Sequence, residues 1–252
     1  ILLNMSKSIY IFGFHSIESL LNTNPESVLK VFIQTGRKDT RVNNLNQILS
    51  DLKIPFSGVD KNDLDRLAKG EVHQGIISEV ILPPLLSEDG LLSSIDALPT
   101  KPLILILDSI QDPRNLGACL RSANAAGVSH VIINKDGSAP INALVHKTSA
   151  GAINSLQIFH VTNLSRTIKS IQEKGIWVIG LDGDSSSKIY DVNLSDPTAI
   201  VMGAEGKGIR QLIKKTCDQL VTIPMSGNIE SLNVSVATGI ALFESKRQRE
   251  SS

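Results

Sequence analysis

From Pro102 onward, short and nearly continuous apolar runs alternate with longer segments of mixed polarity. Runs of this kind are typical of parallel strands that are buried on both faces of a sheet. Between two of the runs, Leu164, Ile168 and Ile171 repeat at helical spacing behind Asn163, a residue that favours helix N-termini. The pattern therefore predicts an α/β fold in which helices cover both faces of a parallel sheet. The predicted strands are residues 103–107, 128–133, 156–161, 176–181, 199–202 and 220–223, and a last helix is predicted over 234–249.

The first part of the chain carries weaker signals of the same two kinds. A compact β-branched and aromatic run at 31–33 and a run at 74–82 predict strands, and 40–52 has helical spacing. Prolines then cluster at both ends of a polar stretch that contains one short helical pattern, as in a linker. We therefore expect a small α/β domain over 5–82, a linker over 83–101 and a second domain over 102–252.

In parallel α/β sheets, ligands bind outside the carboxyl ends of the strands, so the loops that follow the predicted strands are the places to search for chemistry. The first loop, residues 108–115, leads into a helix near Asn115. Asn115 by itself is best explained as a helix cap. Arg121 lies about 100° from the apolar face of this helix, and is either a solvated side chain or a cation placed for a phosphate or a developing oxyanion.

The second loop, residues 203–208, contains three glycines in six positions and is called the glycine loop below. Glycines permit backbone conformations and close ligand approach that bulkier residues forbid. The spacing is not that of a Walker A loop, and Gln211 stands where a dinucleotide-binding fingerprint would need its third glycine. Glu205, a carboxylate inside this turn, is either a local cap or a functional group.

The third loop, residues 223–233, follows a predicted strand that ends at Pro224 and leads into the last helix. Ser231 is a candidate N-cap of that helix. Asn233 and Ser235 are polar residues between apolar neighbours, and buried polar groups need hydrogen-bonding partners.

Composition narrows the function classes only slightly. The chain has 252 residues, 41% of them apolar, and its 25 basic residues balance 25 acidic residues. No apolar run is long enough to span a bilayer, and no signal peptide opens the chain, so we expect a cytoplasmic protein. Two distant cysteines and five scattered histidines offer no metal-binding spacing. The densest basic cluster, Arg37, Lys38 and Arg41, is either a solvated loop or a grip on an RNA backbone.

Taken together, the three loops resemble the SpoU branch of the SPOUT RNA methyltransferases, also called the TrmH family. They are similar to the family patterns D-P-x-N-x-G-A-x-x-R, G-x-E-G-x-G and I-P-M-x-G-x-x-x-S-L-N-V-S-V-A, in that order along the chain. Residues 72–76 also resemble part of the family's small substrate-binding domain. The matching positions are Asp112, Pro113, Asn115, Gly117, Ala118 and Arg121, then Gly203, Glu205, Gly206 and Gly208, then residues 223–237.

The resemblance implies a C-terminal SPOUT methyltransferase domain with a trefoil knot, preceded by a small α/β RNA substrate-binding domain. It also implies a homodimer that forms through the C-terminal domains. S-adenosyl-L-methionine would be bound among the three loops and contacted at Gly203, Ile223 and Leu232, largely through backbone groups. No metal and no membrane partner is implied.

Within this family the chain is most similar to members that methylate the ribose 2′-hydroxyl of a guanosine in 23S ribosomal RNA. The resemblance gives Arg121 the leading catalytic role, while Asn115, Glu205, Ser231 and Asn233 would orient the ribose and Arg121. A guanidinium has no lone pair to accept a proton, so we expect Arg121 to stabilise the incipient alkoxide. A neighbouring RNA phosphate is one candidate for the proton acceptor, which the sequence does not identify.

Two other functions fit the same sequence. One is a sister 2′-O-methyltransferase that acts on tRNA or another ribosomal site, because the three loops would be shared and only the substrate domain would differ. The other is a non-catalytic RNA-binding factor of ribosome assembly that keeps the fold. The presence of Asn115, Arg121 and Glu205 together favours an enzyme over the second alternative.

Overall fold

A computed structural model describes residues 8–37, 39–81, 85–229 and 231–251 of the chain. The strands are β1 (Ser8–Phe12), β2 (Val28–Gln34), β3 (Phe56–Val59), β4 (Ile76–Ile81), β5 (Leu86–Ser87), β6 (Leu103–Asp108), β7 (His130–Asn134), β8 (Gln157–Val161), β9 (Trp177–Leu181), β10 (Thr198–Gly203) and β11 (Gln219–Val221). The α-helices are α1 (Phe14–Thr23), α2 (Thr40–Asp51), α3 (Lys61–Ala68), α4 (Leu91–Asp96), α5 (Pro113–Ala126), α6 (Ala143–Thr148), α7 (Leu164–Gln172), α8 (Gln211–Thr216) and α9 (Val234–Glu250).

Contacts divide the chain into two compact units. The first comprises Ile1–Pro84 together with Ile141–Ser155, and the second comprises Leu85–Pro140 together with Leu156–Ser252. The short helix predicted between the prolines is α4, and it belongs to the second unit.

The first unit contains a four-stranded sheet in the order β1-β4-β2-β3. Its β4 pairs antiparallel with both β1 and β2, whereas β2 and β3 are parallel. Helices α1 and α2 place Phe14, Leu20, Leu45 and Leu49 in the core of this unit. Strands β1 and β3 and helices α1 and α3 had no counterpart in the sequence-based expectation. They complete a small α/β unit of the expected class.

The second unit is built on a seven-stranded sheet in the order β11-β9-β10-β6-β7-β8-β5, and every pair of neighbouring strands is parallel. Every residue of β6, β7 and β10 is buried, because helices pack against both faces of the sheet. The predicted α/β fold with a parallel sheet is therefore confirmed. In the described part of the chain, no helix has the length and hydropathy that crossing a membrane requires.

Two helix starts differ from the sequence-based expectation. The cap of α5 is Asp112, whose carboxylate accepts from the backbone N–H of Arg114 at 2.7 Å, so the prediction that Asn115 caps this helix is wrong. The cap of α9 is Asn233, whose Oδ1 accepts from the N–H of Ser235 at 2.9 Å, so the prediction that Ser231 is the cap is also wrong. Asp, Asn and Ser are all good N-cap residues, so the local sequence does not decide which of two neighbouring candidates is the cap. The corrected starts leave the Asn115 side chain free for longer-range contacts.

Candidate functional site

A cavity of about 260 Å³ lies at the carboxyl ends of β9, β10 and β11. The structure therefore brings together the predicted cofactor contacts Gly203, Ile223 and Leu232, as well as Glu205 and Ser231. The loop after β9 also lines the cavity, and sequence reasoning missed it. Its only sequence signal was a polar Asp-Gly-Asp run directly after an apolar strand. The cavity is lined by residues 181–184, 202–208, Lys214, 221–223, Met225, Ser231, Leu232, Val234 and Ala237.

The glycine loop folds back on itself so closely that Gly203 admits no side chain. A Cβ at this position would lie 2.0 Å from the carbonyl carbon of Gly208 and 2.1 Å from the nitrogen of Ile209. The turn is closed by the Gly208 N–H, which donates to the Ala204 carbonyl at 2.7 Å. Gly206 and Gly208 have φ of 75° and 64°, which favours glycine. The three glycines therefore shape a backbone-lined wall of the cavity.

The three loops meet through a cluster of Asn115, Glu205 and Asn233. The Asn115 amide donates to Glu205 Oε2 at 3.0 Å, and the Asn233 amide donates to Asn115 Oδ1 at 3.0 Å and to Glu205 Oε1 at 3.4 Å. Asn233 thus caps α9 with its oxygen and joins the cluster with its nitrogen. Glu205 is exposed, so the cluster presents a carboxylate and two amides to solvent at the edge of the cavity. Such groups can orient the hydroxyls of a bound ligand.

Arg121 is not part of this cluster in the single chain. It lies exposed on α5, does not line the cavity, and has no hydrogen bond or ion pair to any residue that the structure describes. Ser231 lines the cavity without joining the cluster. Of the five residues predicted to be catalytic, three are in mutual contact within one chain.

A fully buried carboxylate holds the glycine loop against the end of β6. Asp108 is 0% exposed, and its Oδ2 accepts from the backbone N–H of Arg210 at 2.9 Å while its Oδ1 accepts from Arg210 Nε at 2.7 Å. The Ser109 hydroxyl donates to the same carboxylate at 3.2 Å. A buried charge is costly without such partners. This ion pair therefore fixes the residues that follow the glycine loop relative to the residues that precede Asn115.

We expect the Arg210→Met substitution to lower the free energy of unfolding by about 2 kcal/mol, because it leaves a buried charge without its ionic partner. The effect is smaller than for a fully buried pair, since the arginine side chain is 54% exposed. Urea denaturation measures it. The double substitution Asp108→Asn with Arg210→Met should be more stable than Arg210→Met alone, because it removes the unpaired charge. A double variant that is less stable than the single variant would contradict this role for the pair.

In the first unit, Arg37 and Arg41 lie on the ring of Phe14, with guanidinium carbons 5.0 Å and 4.8 Å from its centroid. Arg41 also forms a bidentate ion pair with Glu18: its Nε donates to Oε1 at 2.8 Å and its Nη2 donates to Oε2 at 2.6 Å. These hydrogen bonds raise the pKa of Arg41. Arg37 pairs with Asp39 at 2.8 Å. Both arginines are thus partly exposed and are also held by contacts within the unit. Lys38, the third residue of the predicted basic cluster, lies outside the described residues.

Cys119 packs between α5 and α9, where its sulfur lies 3.4 Å from Thr238 Oγ1 and burial raises the pKa of its thiol to about 11. Cys217 is partly buried against the core of the second unit, and burial raises its pKa to about 12. Both cysteines thus behave as small packing residues. Within the ranges that the structure describes, no group of three or more histidine, cysteine or acidic side chains could hold a metal ion.

The fold of the chain, with its parallel sheet and the cavity beside the glycine loop, is similar to that of solved SpoU methyltransferases. Solved structures of this type include the SpoU methyltransferase AviRb from Streptomyces viridochromogenes in complex with AdoMet, with a TM-score of 0.81 and 22% identity over 97% of this chain and 91% of the other. An RNA 2′-O ribose methyltransferase has a TM-score of 0.77 and 25% identity over 97% and 90% of the two chains.

Residues 102–243 match the SpoU rRNA Methylase family, and residues 10–84 match the family described as RNA 2′-O ribose methyltransferase substrate binding. The chain therefore belongs to the SpoU rRNA methylase family. The 23S rRNA (guanosine-2′-O-)-methyltransferase RlmB of Shewanella oneidensis is 45% identical over 98% of this chain and 100% of its own length. The enzyme of the same name from Haemophilus influenzae is 46% identical over 97% of this chain and 99% of its own length.

Proposed function

We propose that this protein transfers a methyl group from S-adenosyl-L-methionine to the ribose 2′-hydroxyl of a guanosine in 23S ribosomal RNA. The observation that carries the proposal is the contact between Asn115, Glu205 and Asn233, which joins all three family loops at the edge of one cavity. The guanosine and the 23S RNA are proposed from the relatives named above, which align along nearly the whole chain.

The cavity fits the proposed cofactor in shape and chemistry. Gly203, Gly206 and Gly208 line it, and glycines leave the backbone of this wall uncovered by side chains, so a flat ligand can approach it closely. Ile223 and Leu232 add apolar surface, and the glycine loop and the third loop expose backbone groups. When bound, S-adenosylmethionine supplies an electrophilic methyl group. Gly203, Ile223 and Leu232 are the residues proposed to hold it.

The polar residues of the site are proposed to position the ribose for in-line attack, and positioning alone can remove a large part of a barrier. Asn115, Glu205, Ser231 and Asn233 orient the 2′-hydroxyl. Arg121 stabilises the negative charge that develops on the ribose oxygen, because a guanidinium donates hydrogen bonds but cannot accept the proton. The proton passes to a neighbouring RNA phosphate.

We propose that Arg121 plays this role across a dimer, because in its own chain it neither lines the cavity nor hydrogen-bonds to the cluster. We propose a homodimer formed by α5 and α9. Val236 and Phe243 are 51% and 47% exposed and form, with Ile240, an apolar stripe on α9. Lys246 connects this stripe to α5, because its Nζ lies 3.5 Å from the Ala125 carbonyl and 6.0 Å from the Phe243 ring. Arg121 is one helical turn from Ala125 on the same exposed face, so it would lie at this interface.

The trefoil knot is proposed for the same domain. The chain leaves β10 through the glycine loop, and Arg210 is then held on Asp108 at the end of β6 before α8 and β11 follow. This path brings the segment after β10 across the end of a strand that lies about 100 residues earlier in the chain.

The first unit is proposed to bind RNA, and the protein is proposed to act in the cytoplasm, where ribosomal RNA is modified.

The function is tested by mapping ribose methylation in RNA from cells that lack this protein. We expect one 2′-O-methylguanosine in 23S RNA to be lost and to return when the purified protein and S-adenosylmethionine are added. Loss of a methyl group in tRNA instead would identify the protein as a sister enzyme. Unchanged methylation in all RNA, combined with no calorimetric binding of S-adenosylmethionine, would indicate a non-catalytic assembly factor.

Replacing Arg37, Lys38 and Arg41 together by glutamine is expected to weaken RNA binding and to flatten its salt dependence, because each cation that contacts a phosphate releases counterions. Filter binding of 23S RNA fragments at several salt concentrations measures both effects. Arg66→Gln is the control, because Arg66 is 77% exposed in the same unit. Thermal unfolding must accompany the assay, since Arg37 and Arg41 also pack on Phe14. Unchanged RNA affinity in a folded triple variant would remove these residues from the interface.

A further inference from the structure

An ion pair between Asp182 and Lys214 forms part of the cavity wall that is otherwise lined mainly by glycine, apolar residues and backbone. The Lys214 Nζ lies 2.8 Å from Asp182 Oδ2, and the two side chains are 17% and 13% exposed. The family patterns do not include either residue, and both lie outside the three loops that the sequence singled out. The cavity therefore has an internal ion pair in addition to the charged side chains of Asp184, Glu205 and Lys207 that also line it.

The pair retains hydrogen-bonding capacity on both partners. An ammonium group has three donors, and in the described part of the chain only Asp182 accepts from Lys214. A carboxylate has about four acceptor positions. Besides the ion pair, the Asp182 carboxylate accepts in the described residues only from the N–H of Asp184, at 3.5 Å. Because both side chains line the cavity, the unused donors and acceptors are available to a ligand there. The ligand group that fits must both donate and accept.

The position of Asp182 and Lys214 relative to the strands indicates which part of a bound ligand they contact. Asp182 directly follows β9, and β10 separates β9 from β6, the strand that leads to Asn115. Two strand spacings amount to about 10 Å, so the pair lies on the side of the cavity away from the first loop. The methyl group must lie near the cluster of Asn115, Glu205 and Asn233. The pair therefore faces a part of the cofactor that is separated from the transferred methyl group, and the ribose 2′ and 3′ hydroxyls, on the ring edge away from the carbon that bears the sulfonium, are such a part.

We propose that Asp182 and Lys214 bind the vicinal hydroxyls of the adenosyl ribose, with the carboxylate accepting and the ammonium donating. This inference rests on the proposed cofactor. Vicinal hydroxyls both donate and accept, and recognition of a ribose hydroxyl by an acidic side chain after a strand recurs in nucleotide-binding α/β folds. Pairing also keeps the carboxylate and the ammonium fixed before the ligand arrives, which lowers the entropic cost of binding.

The test compares Asp182→Asn and Lys214→Met with matched controls in the full chain. Asp191→Asn and Lys215→Met make the same charge changes at exposed positions that do not line the cavity. Calorimetry is performed with S-adenosylmethionine, S-adenosylhomocysteine and 5′-methylthioadenosine, which lacks the amino-acid portion. We expect each cavity variant to lose affinity for all three ligands by about tenfold or more, the effect of a lost charge-assisted hydrogen bond, while the controls bind as the unmodified protein does.

A 2′,3′-dideoxy form of 5′-methylthioadenosine keeps the test independent of how well the variants fold. It should bind the unmodified protein about tenfold more weakly than the parent compound, and this difference between the two compounds should be smaller for Asp182→Asn, where only the Lys214 contact remains. Lys214→Arg, which keeps the charge, should retain most of the affinity. Loss of affinity for S-adenosylmethionine without loss for 5′-methylthioadenosine would overturn the inference, and so would unchanged binding of all ligands. Failure of the unmodified protein to bind any of the three would instead refute the proposed cofactor.

Discussion

Replacing Arg121 by alanine is expected to reduce ribose methylation by about 100-fold or more, the effect of removing a group that stabilises charge in the transition state. Binding of S-adenosylmethionine should survive, because Arg121 does not line the cavity. Folding should also survive, since the side chain is exposed and has no hydrogen bond or ion pair to the described residues of its own chain. Single-turnover methylation of 23S RNA and calorimetry with the cofactor measure the two effects separately.

Two further variants sharpen this prediction. Arg121→Lys should also be poor, because an ammonium cannot reproduce the planar fork of a guanidinium. Arg166→Ala is the control, since Arg166 is an exposed arginine of the same unit whose partner is Glu88. Full methylation by Arg121→Ala would refute the assignment, whereas loss of activity in Arg166→Ala would show that the net charge of the unit is the cause.

The second large effect is expected at Gly203. An alanine there would place its Cβ 2.0 Å from the carbonyl carbon of Gly208, a contact that only backbone movement can relieve. Because the displaced backbone forms the cavity wall, we expect affinity for S-adenosylmethionine to fall by about 100-fold or more, as for a binding loop that loses its preorganised shape. Calorimetry measures the affinity, and thermal unfolding reports the strain.

The matched control for Gly203→Ala is Gly90→Ala, which lies in the same unit but outside the three loops. A Cβ at Gly90 would meet no atom within 4 Å, and its φ is not in the left-handed region. This variant should bind the cofactor normally. If Gly203→Ala bound it equally well, the glycine loop would not be the cofactor wall.

Mixing the chains of Arg121→Ala and Gly203→Ala also tests the proposed dimer. A mixed dimer of Arg121→Ala and Gly203→Ala contains one subunit with an intact cofactor cavity, and its partner subunit carries an intact Arg121. If the arginine acts across the dimer, mixing two inactive proteins should restore part of the activity. If it acts within its own chain, each site in the mixed dimer lacks one component, and no activity should return.

The sheet of the second unit could be predicted from sequence because its strands are buried on both faces. Such strands appear as continuous apolar runs, and those around β6, β7 and β10 coincide with fully buried strands. The positions of the glycine loop and the third loop at the cavity followed directly from the ends of the strands. Strand β5, with two residues, is too short to leave such a pattern.

Side-chain partners were less accessible to sequence reasoning, because they depend on which strands are neighbours. Asp108 and Arg210 are 102 residues apart and meet only because β6 and β10 are adjacent. The same is true of Asp182 and Lys214, which the order β9-β10 and the position of α8 bring to one wall. The local sequence favoured Asn115 as a helix cap. Only the structure shows that Asp112 is the cap, which leaves the Asn115 side chain available for the cluster.

The cluster of Asn115, Glu205 and Asn233 has a consequence for how the protein matures. Two of its three hydrogen bonds span 90 and 118 residues of sequence, so they close long loops in the chain. Contacts of such high sequence separation are slow to form. A polypeptide that is still incomplete, or only partly collapsed, therefore lacks the arrangement needed for chemistry. Competence requires that α9, whose cap is Asn233, is docked against the first loop, and enzymatic turnover is itself a sign that these contacts have formed.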